Sequence, residues 1–258
     1  MSGQITRRLK PEEEEIVRKR EELAAIRATL AERELELVDL RSQLAAFEGR
    51  YLRQVGALYA ELDEWKARIS ELHARLDPSP ASKVQAEQAR QQARETYEDA
   101  HSTASETSDF TPSPELKSLF REVAKRIHPD FCRDTADLER RTRLMAEANR
   151  AYEMGDAEAL QRILNEYQDG ADAVEGEGIG AELIRIIRQI SQAKERVAAI
   201  EQELAALRQS EIALLKKQAE ESGQAGRDLL AELAGAVTEQ IERAKQEYQA
   251  LAKQDKPT

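Results

Sequence analysis

The chain has 258 residues and a formal net charge of -11, with 34% of residues charged and only 4% aromatic, which argues against one large globular core and for elongated helices with wet surfaces. An acidic chain repels phosphates overall, so nucleic acid is not expected as a general partner. A single cysteine, Cys132, leaves no internal disulfide and no multi-cysteine zinc site, and no run approaches membrane-spanning length, so a cytoplasmic location and no membrane partner are expected.

From Ile16 an apolar residue recurs every seven positions, at Leu23, Leu30, Leu37, Leu44, Tyr51, Leu58, Trp65 and Leu72, the period of a coiled-coil seam. A second row lies three residues on in the first half (Ile26, Leu40, Phe47) and four residues on in the second (Val55, Leu62, Ile69, Leu76). Two successive four-residue steps between Tyr51 and Val55, flanked by Gly49 and Gly56, predict a local unwinding. Lys19 and Arg33 occupy the second row, where a polar group specifies register or marks a frayed end. Residues 1–77 therefore read as an N-terminal coiled coil, stopped by Asp77-Pro78-Ser79-Pro80, since neither proline continues a helix.

Residues 78–112 read as a polar segment. Ser82 to Ala100 holds only Val84 and Tyr97 as large apolar residues, predicting a helix that is polar all round; Ser102 to Ser113 reads as a linker. A compact pattern follows at 113–170, then an acidic, glycine-bearing linker at 171–180. Leu183, Ile186, Ile190, Ala193, Val197, Ile200, Leu204, Leu207 and Leu214 form a second seam, read as a coiled coil over 181–222. A last helix is expected over 227–253, after Gly223 and Gly226. The predicted fold is all-α, with two long coiled-coil segments flanking a small antiparallel helical module. Each arm reads as a rod or self-association seam, and the pattern leaves parallel dimerisation and an antiparallel fold-back of the C-terminal arm equally open.

In the module, Ser113-Pro114-Glu115 reads as a helix start: a capping hydroxyl, proline at the first position, and an acid at the positive end. Leu116, Leu119, Phe120, Val123 and Ile127 form one apolar stripe, and Lys117, Arg121 and Lys125 line another face. Pro129 forces a stop, so His128 and Asp130 are expected to project from an ordered turn. A second helix over about Leu138 to Glu153 can pair antiparallel with the first; Gly155 suits its C-terminal cap, and Asp156 can cap a third helix. Glu115 to Arg150 holds nine basic residues against seven acidic ones, a local excess that favours an acidic partner surface.

An amphipathic helix with a basic face, His128-Pro129-Asp130 at its end, a loop, and a second helix carrying Asn149-Arg150-Ala151-Tyr152 together resemble a J-domain. The resemblance implies a co-chaperone that binds a DnaK-type heat-shock ATPase and stimulates its hydrolysis, with the catalysis belonging to the partner. It implies that His128, Pro129 and Asp130 act on that partner, that Lys117, Arg121, Lys125 and Arg126 supply docking charge, and that Phe120 and Tyr152 belong to the core. The coiled-coil arms would then select a client or a location. The first J-domain helix is not recognisable before Ser113, although Phe110 can fill part of its place, and Phe131-Cys132-Arg133-Asp134 follows the triplet where the family commonly has a lysine.

Plainer readings stand beside these. His128 can serve as a helix C-terminal cap with Pro129 as terminator, and the basic face can be solvated and balanced by Glu122 and its neighbours. His128, Asp130 and Cys132 have the atom types of metal ligands, but no further histidine or cysteine is near them, and Cys132 lacks a histidine base outside this turn. No metal, cofactor or catalytic residue is expected, and no enzyme activity. The rival reading is a structural coiled-coil scaffold that keeps a degenerate J-like module for protein interaction.

Overall fold

Every secondary-structure element among the described residues is helical. The structure, a computed structural model, describes residues 11–102, 111–132, 134–168 and 178–254. Phe110, Arg133 and most of both expected linkers lie outside the described residues.

Helix α1 (Pro11–Tyr51) opens with proline and the acids Glu12, Glu13 and Glu14 in its first turn, which suit the positive end of a helix. The backbone then passes through one π turn, Leu52–Gly56, into α2 (Ala57–Leu76). This turn sits where the sequence takes two four-residue steps: one extra residue per turn unwinds the helix locally. Val55 becomes fully buried there. Helix α2 ends at the extended Asp77, before Pro78, and α3 (Pro80–Ser102) follows.

Contacts divide the chain into two units, one of Met1–Ser42 with Phe110–Gln209 and the other of Gln43–Asp109 with Ser210–Thr258. The first contains α4 (Pro114–Ile127), a 3-10 turn (Pro129–Phe131), α5 (Thr135–Glu153), α6 (Ala157–Gln168) and α7 (Ile179–Arg208). Within it α1 and α7 run parallel. Glu22 pairs with Lys194 at 2.7 Å and Glu34 with Arg196 at 2.9 Å; Arg20–Glu182, Arg41–Glu203 and Glu36–Arg208 extend the series in the same direction along both helices. Leu23, Leu30 and Leu37 meet Ile190, Ile200 and Leu204 between these flanking charges. In place of the antiparallel fold-back, this part of the first seam is taken by a parallel pair inside one chain.

The expected single segment over 181–222 is two helices. Ser210 Oγ accepts from the Ala213 N–H at 3.4 Å and starts α8 (Glu211–Gln224), so the seam stops at Leu207 and Leu214 is left 50% exposed. A short hydroxyl side chain able to cap a new helix competes with continuation of the old one.

A second apolar stripe on α1, formed by Ala31, Leu35 and Val38, joins one core with α4, α5 and α6. Ser113 Oγ accepts from Leu116 N–H at 3.1 Å, Asp134 Oδ1 from Asp137 N–H at 2.8 Å, and Asp156 Oδ1 from Ala159 N–H at 2.8 Å. Gly155, at φ 70°, makes the left-handed turn after α5 that glycine tolerates best. Helices α4 and α5 are antiparallel: Phe120 meets Tyr152 with ring centroids 5.1 Å apart, while Arg141 reaches the carbonyls of Arg126 and His128.

In the second unit, α3 is not polar all round. It packs antiparallel on α2, with Arg90 bridging Glu64 and Glu71 and Thr96 bonded to Asp63. Ala93 and Ala100 are buried on α3, and Ala60 and Ala67 on α2. Small side chains let the backbones approach, so a helix can bury a face without large apolar residues. Helix α9 (Leu229–Gln254) packs on α2 through Leu62, Ile69, Val237 and Ile241, with Trp65 edge-on to Tyr248 at 5.7 Å. No described helix is long and apolar enough to cross a membrane.

Candidate functional site

Helix α4 ends because Pro129 holds His128 at φ -55°, ψ 131°, the extended geometry that a following proline favours. Asp130 and Phe131 continue in the short 3-10 turn. Arg141, itself buried, is held by Asp137 at 2.9 Å and donates to the Arg126 and His128 carbonyls. Those carbonyls lack partners within α4, so the first turns of α5 fix where the triplet sits.

His128 does not project, while Pro129 and Asp130 are partly exposed. His128 is 2% exposed. Its Nδ1 accepts the Asp130 N–H at 3.2 Å, so the ring's other nitrogen carries the proton, and Nε2 donates to Glu34 Oε1 on α1 at 3.2 Å. Arg196 on α7 donates to the same Glu34 oxygen at 3.0 Å. Burial alone would raise the Glu34 carboxyl; the His128 hydrogen bond and the Arg196 charge outweigh it and hold the carboxyl below its ordinary range.

Phe131 is buried in the core shared by α1 and α7, with the Arg27 guanidinium 4.4 Å from its ring centroid. Asp130 is partly exposed, yet its Oδ2 has no hydrogen-bond donor among the described residues and lies 3.8 Å from His128 Nδ1. Burial, with the Glu34 and Glu195 charges adding to it, pushes its carboxyl above the ordinary range. Cys132, half-buried, has its thiol raised chiefly by burial, which disfavours the thiolate needed for nucleophilic chemistry.

The four docking cations expected on α4 meet different surroundings. Lys117 Nζ donates to Asp39 Oδ2 at 2.9 Å, and Arg121 pairs with Glu32 at 3.1 Å, both acids lying on α1. Arg126 pairs with Glu122 on its own helix at 2.8 Å. Lys125 is exposed. Asp39 also accepts from the Tyr152 hydroxyl at 3.1 Å, and burial with this acid beside it pushes that phenol up.

Sequence reasoning brought His128, Pro129, Asp130 and the basic helix together, and the structure does so too. It missed the acids opposite them, Glu32, Glu34 and Asp39, as well as Arg196 and Arg141. A signal was present: Ala31, Leu35 and Val38 follow helical spacing away from the heptad seam, the mark of a second buried face on α1. Chemically, the arrangement offers hydrogen bonds and charge, and its thiol is not activated. No protein-family model, curated protein or solved structure matches this chain.

Proposed function

We propose that residues 113–170 form a J-domain-like module that recruits and stimulates a DnaK-type heat-shock ATPase in the cytoplasm, with α1 and α7 as a coiled-coil carrier and the remaining helices engaging a client or a location. The observation that carries this reading is the position of His128-Pro129-Asp130 on a short turn joining two antiparallel helices, beside a helix bearing Lys117, Arg121 and Lys125. The partner would perform the hydrolysis. Asp130 would accept a charge-assisted hydrogen bond from a partner cation, the stronger class of such bonds, and the basic face would meet partner acids.

A second reading, a scaffold whose J-like module serves only packing, is favoured by the burial of His128 and by the pairing of Lys117 and Arg121 with α1. Single-turnover ATP hydrolysis by the organism's own DnaK-type ATPases separates the two. Stimulation by the full chain that His128→Gln and Asp130→Asn both abolish, with helicity preserved, supports recruitment. The scaffold reading requires that no cognate ATPase responds to the wild type or to a variant with the turn released.

A further inference from the structure

We infer that the His128-Pro129-Asp130 turn is a self-latched element: Glu34 of α1 and Arg196 of α7 hold it closed, and a partner engages it only after the turn has left the α1–α7 pair. As a device acting on partner recruitment the inference rests on the co-chaperone reading, but the latch itself is testable without it.

Two kinds of contact join the module to α1, and they differ in how they can open. The stripe of Ala31, Leu35 and Val38 shares a continuous core with α4, α5 and α6, so separating it would expose the module's interior. The turn is attached at fewer points. His128 Nε2 donates to Glu34, Arg196 braces the same carboxylate, and Phe131 inserts between α1 and α7 beneath Arg27. Moving a three-residue 3-10 turn breaks these contacts and the Arg141 bond to the His128 carbonyl, and leaves the α4–α6 core in place.

The closed turn is also incompletely satisfied. Asp130 Oδ2 is inaccessible to solvent and lacks a donor among the described residues, a state that is costly for a carboxylate oxygen. Opening would restore its hydration or present it to a donor from outside. The partner that fits is therefore a protein surface offering a guanidinium or ammonium group to Asp130. Its acids would compete with Glu32 and Asp39 for Arg121 and Lys117. Ion pairs of this partly exposed kind exchange at little cost.

Cys132 is the only cysteine and directly follows the turn, so its alkylation by iodoacetamide in the native full-length chain reports opening. Glu34→Ala removes the acceptor for His128 and Arg196; Arg196→Ala, at a partly exposed position, removes only the brace and guards against a general loss of folding. Both variants are expected to retain their helical circular dichroism. Losing one hydrogen bond to a charged group should accelerate alkylation about tenfold in Glu34→Ala, with a smaller rise in Arg196→Ala. Wild-type rates in both variants would overturn the latch, whatever the ATPase assay shows. Faster alkylation with increased stimulation of a DnaK-type ATPase supports the latch together with recruitment. Faster alkylation with no stimulation by any cognate ATPase supports the latch and overturns the recruitment reading.

Discussion

The Asp39 carboxylate should be worth more to the module than its ion pair suggests, because it serves a fully buried hydroxyl. Tyr152 is 0% exposed and its hydroxyl donates to Asp39 Oδ1 at 3.1 Å, while Oδ2 takes Lys117 at 2.9 Å. Tyr152→Phe removes one charge-assisted hydrogen bond, a loss of about 1.5–3 kcal/mol. Asp39→Ala removes the same bond from its other side, a loss of about 1.5–3 kcal/mol. With the Lys117 side chain 35% exposed, screening leaves that ion pair only a few tenths of a kcal/mol. The double variant should then lose little more than either single variant, a coupling of about 1.5–3 kcal/mol, the cost of the shared bond. Amide exchange over α4 and α5 reads the local opening free energy without requiring the whole chain to unfold in one step. Single losses that add to within about 0.5 kcal/mol would refute the reasoning, because independent sites add and a shared bond does not.

Leu35→Ala on the outer stripe of α1 should loosen α4 and α5 by about 2–4 kcal/mol, read by the same exchange, whereas Leu138→Ala, at a position 41% exposed, should change stability by less than about 0.5 kcal/mol. Burial and Asp39 raise the Tyr152 phenol in the folded chain, so its contribution is fully present below the unfolded value near pH 10 and is lost as pH rises beyond it; alkaline titration of α5 exchange should show this loss in the wild type and not in Tyr152→Phe. Ala67→Leu in the second unit, at a position with no exposed surface, should force α3 away from α2 and cost about 1–3 kcal/mol, measured as a lower urea midpoint for the fluorescence of the single tryptophan, Trp65.

What the sequence makes legible here is local. The Ser113 and Asp156 caps, the Gly155 turn and the break in register at Tyr51–Val55 each depend on residues within a turn or two, and each has its structural counterpart. Helix α3 was misjudged because a scale that counts large apolar residues overlooks alanines, and its buried face is built from Ala93 and Ala100. Pairing direction was illegible for a different reason. Heptad rows match in either sense, and the choice falls to flanking charges such as Glu22–Lys194 and Glu34–Arg196, 172 and 162 positions apart. The same distance hid the candidate site's partners, since Asp39 lies 78 positions from Lys117 and Glu32 lies 89 from Arg121.

Lys117 and Arg121 also show why a basic helix face reads identically whether it awaits another protein or clasps its own chain. Spacing reports only that cations share a face, and the acids opposite can belong to either. The strength of the contacts then decides what can exchange. Both ion pairs are partly exposed and contribute about 0–1 kcal/mol each, so they orient α4 against α1 more than they bind it. The holding is done by the Leu35 and Val38 stripe and by Phe131, where apolar burial supplies about 1.5–3 kcal/mol per large side chain. An acidic partner could therefore take Lys117 and Arg121 from Asp39 and Glu32 at small cost while Asp39 keeps the Tyr152 hydroxyl, but it could not reach His128 without displacing Phe131. The barrier to engagement lies at the turn, in Phe131 and the His128–Glu34 bond beside it, and not in Lys117 and Arg121.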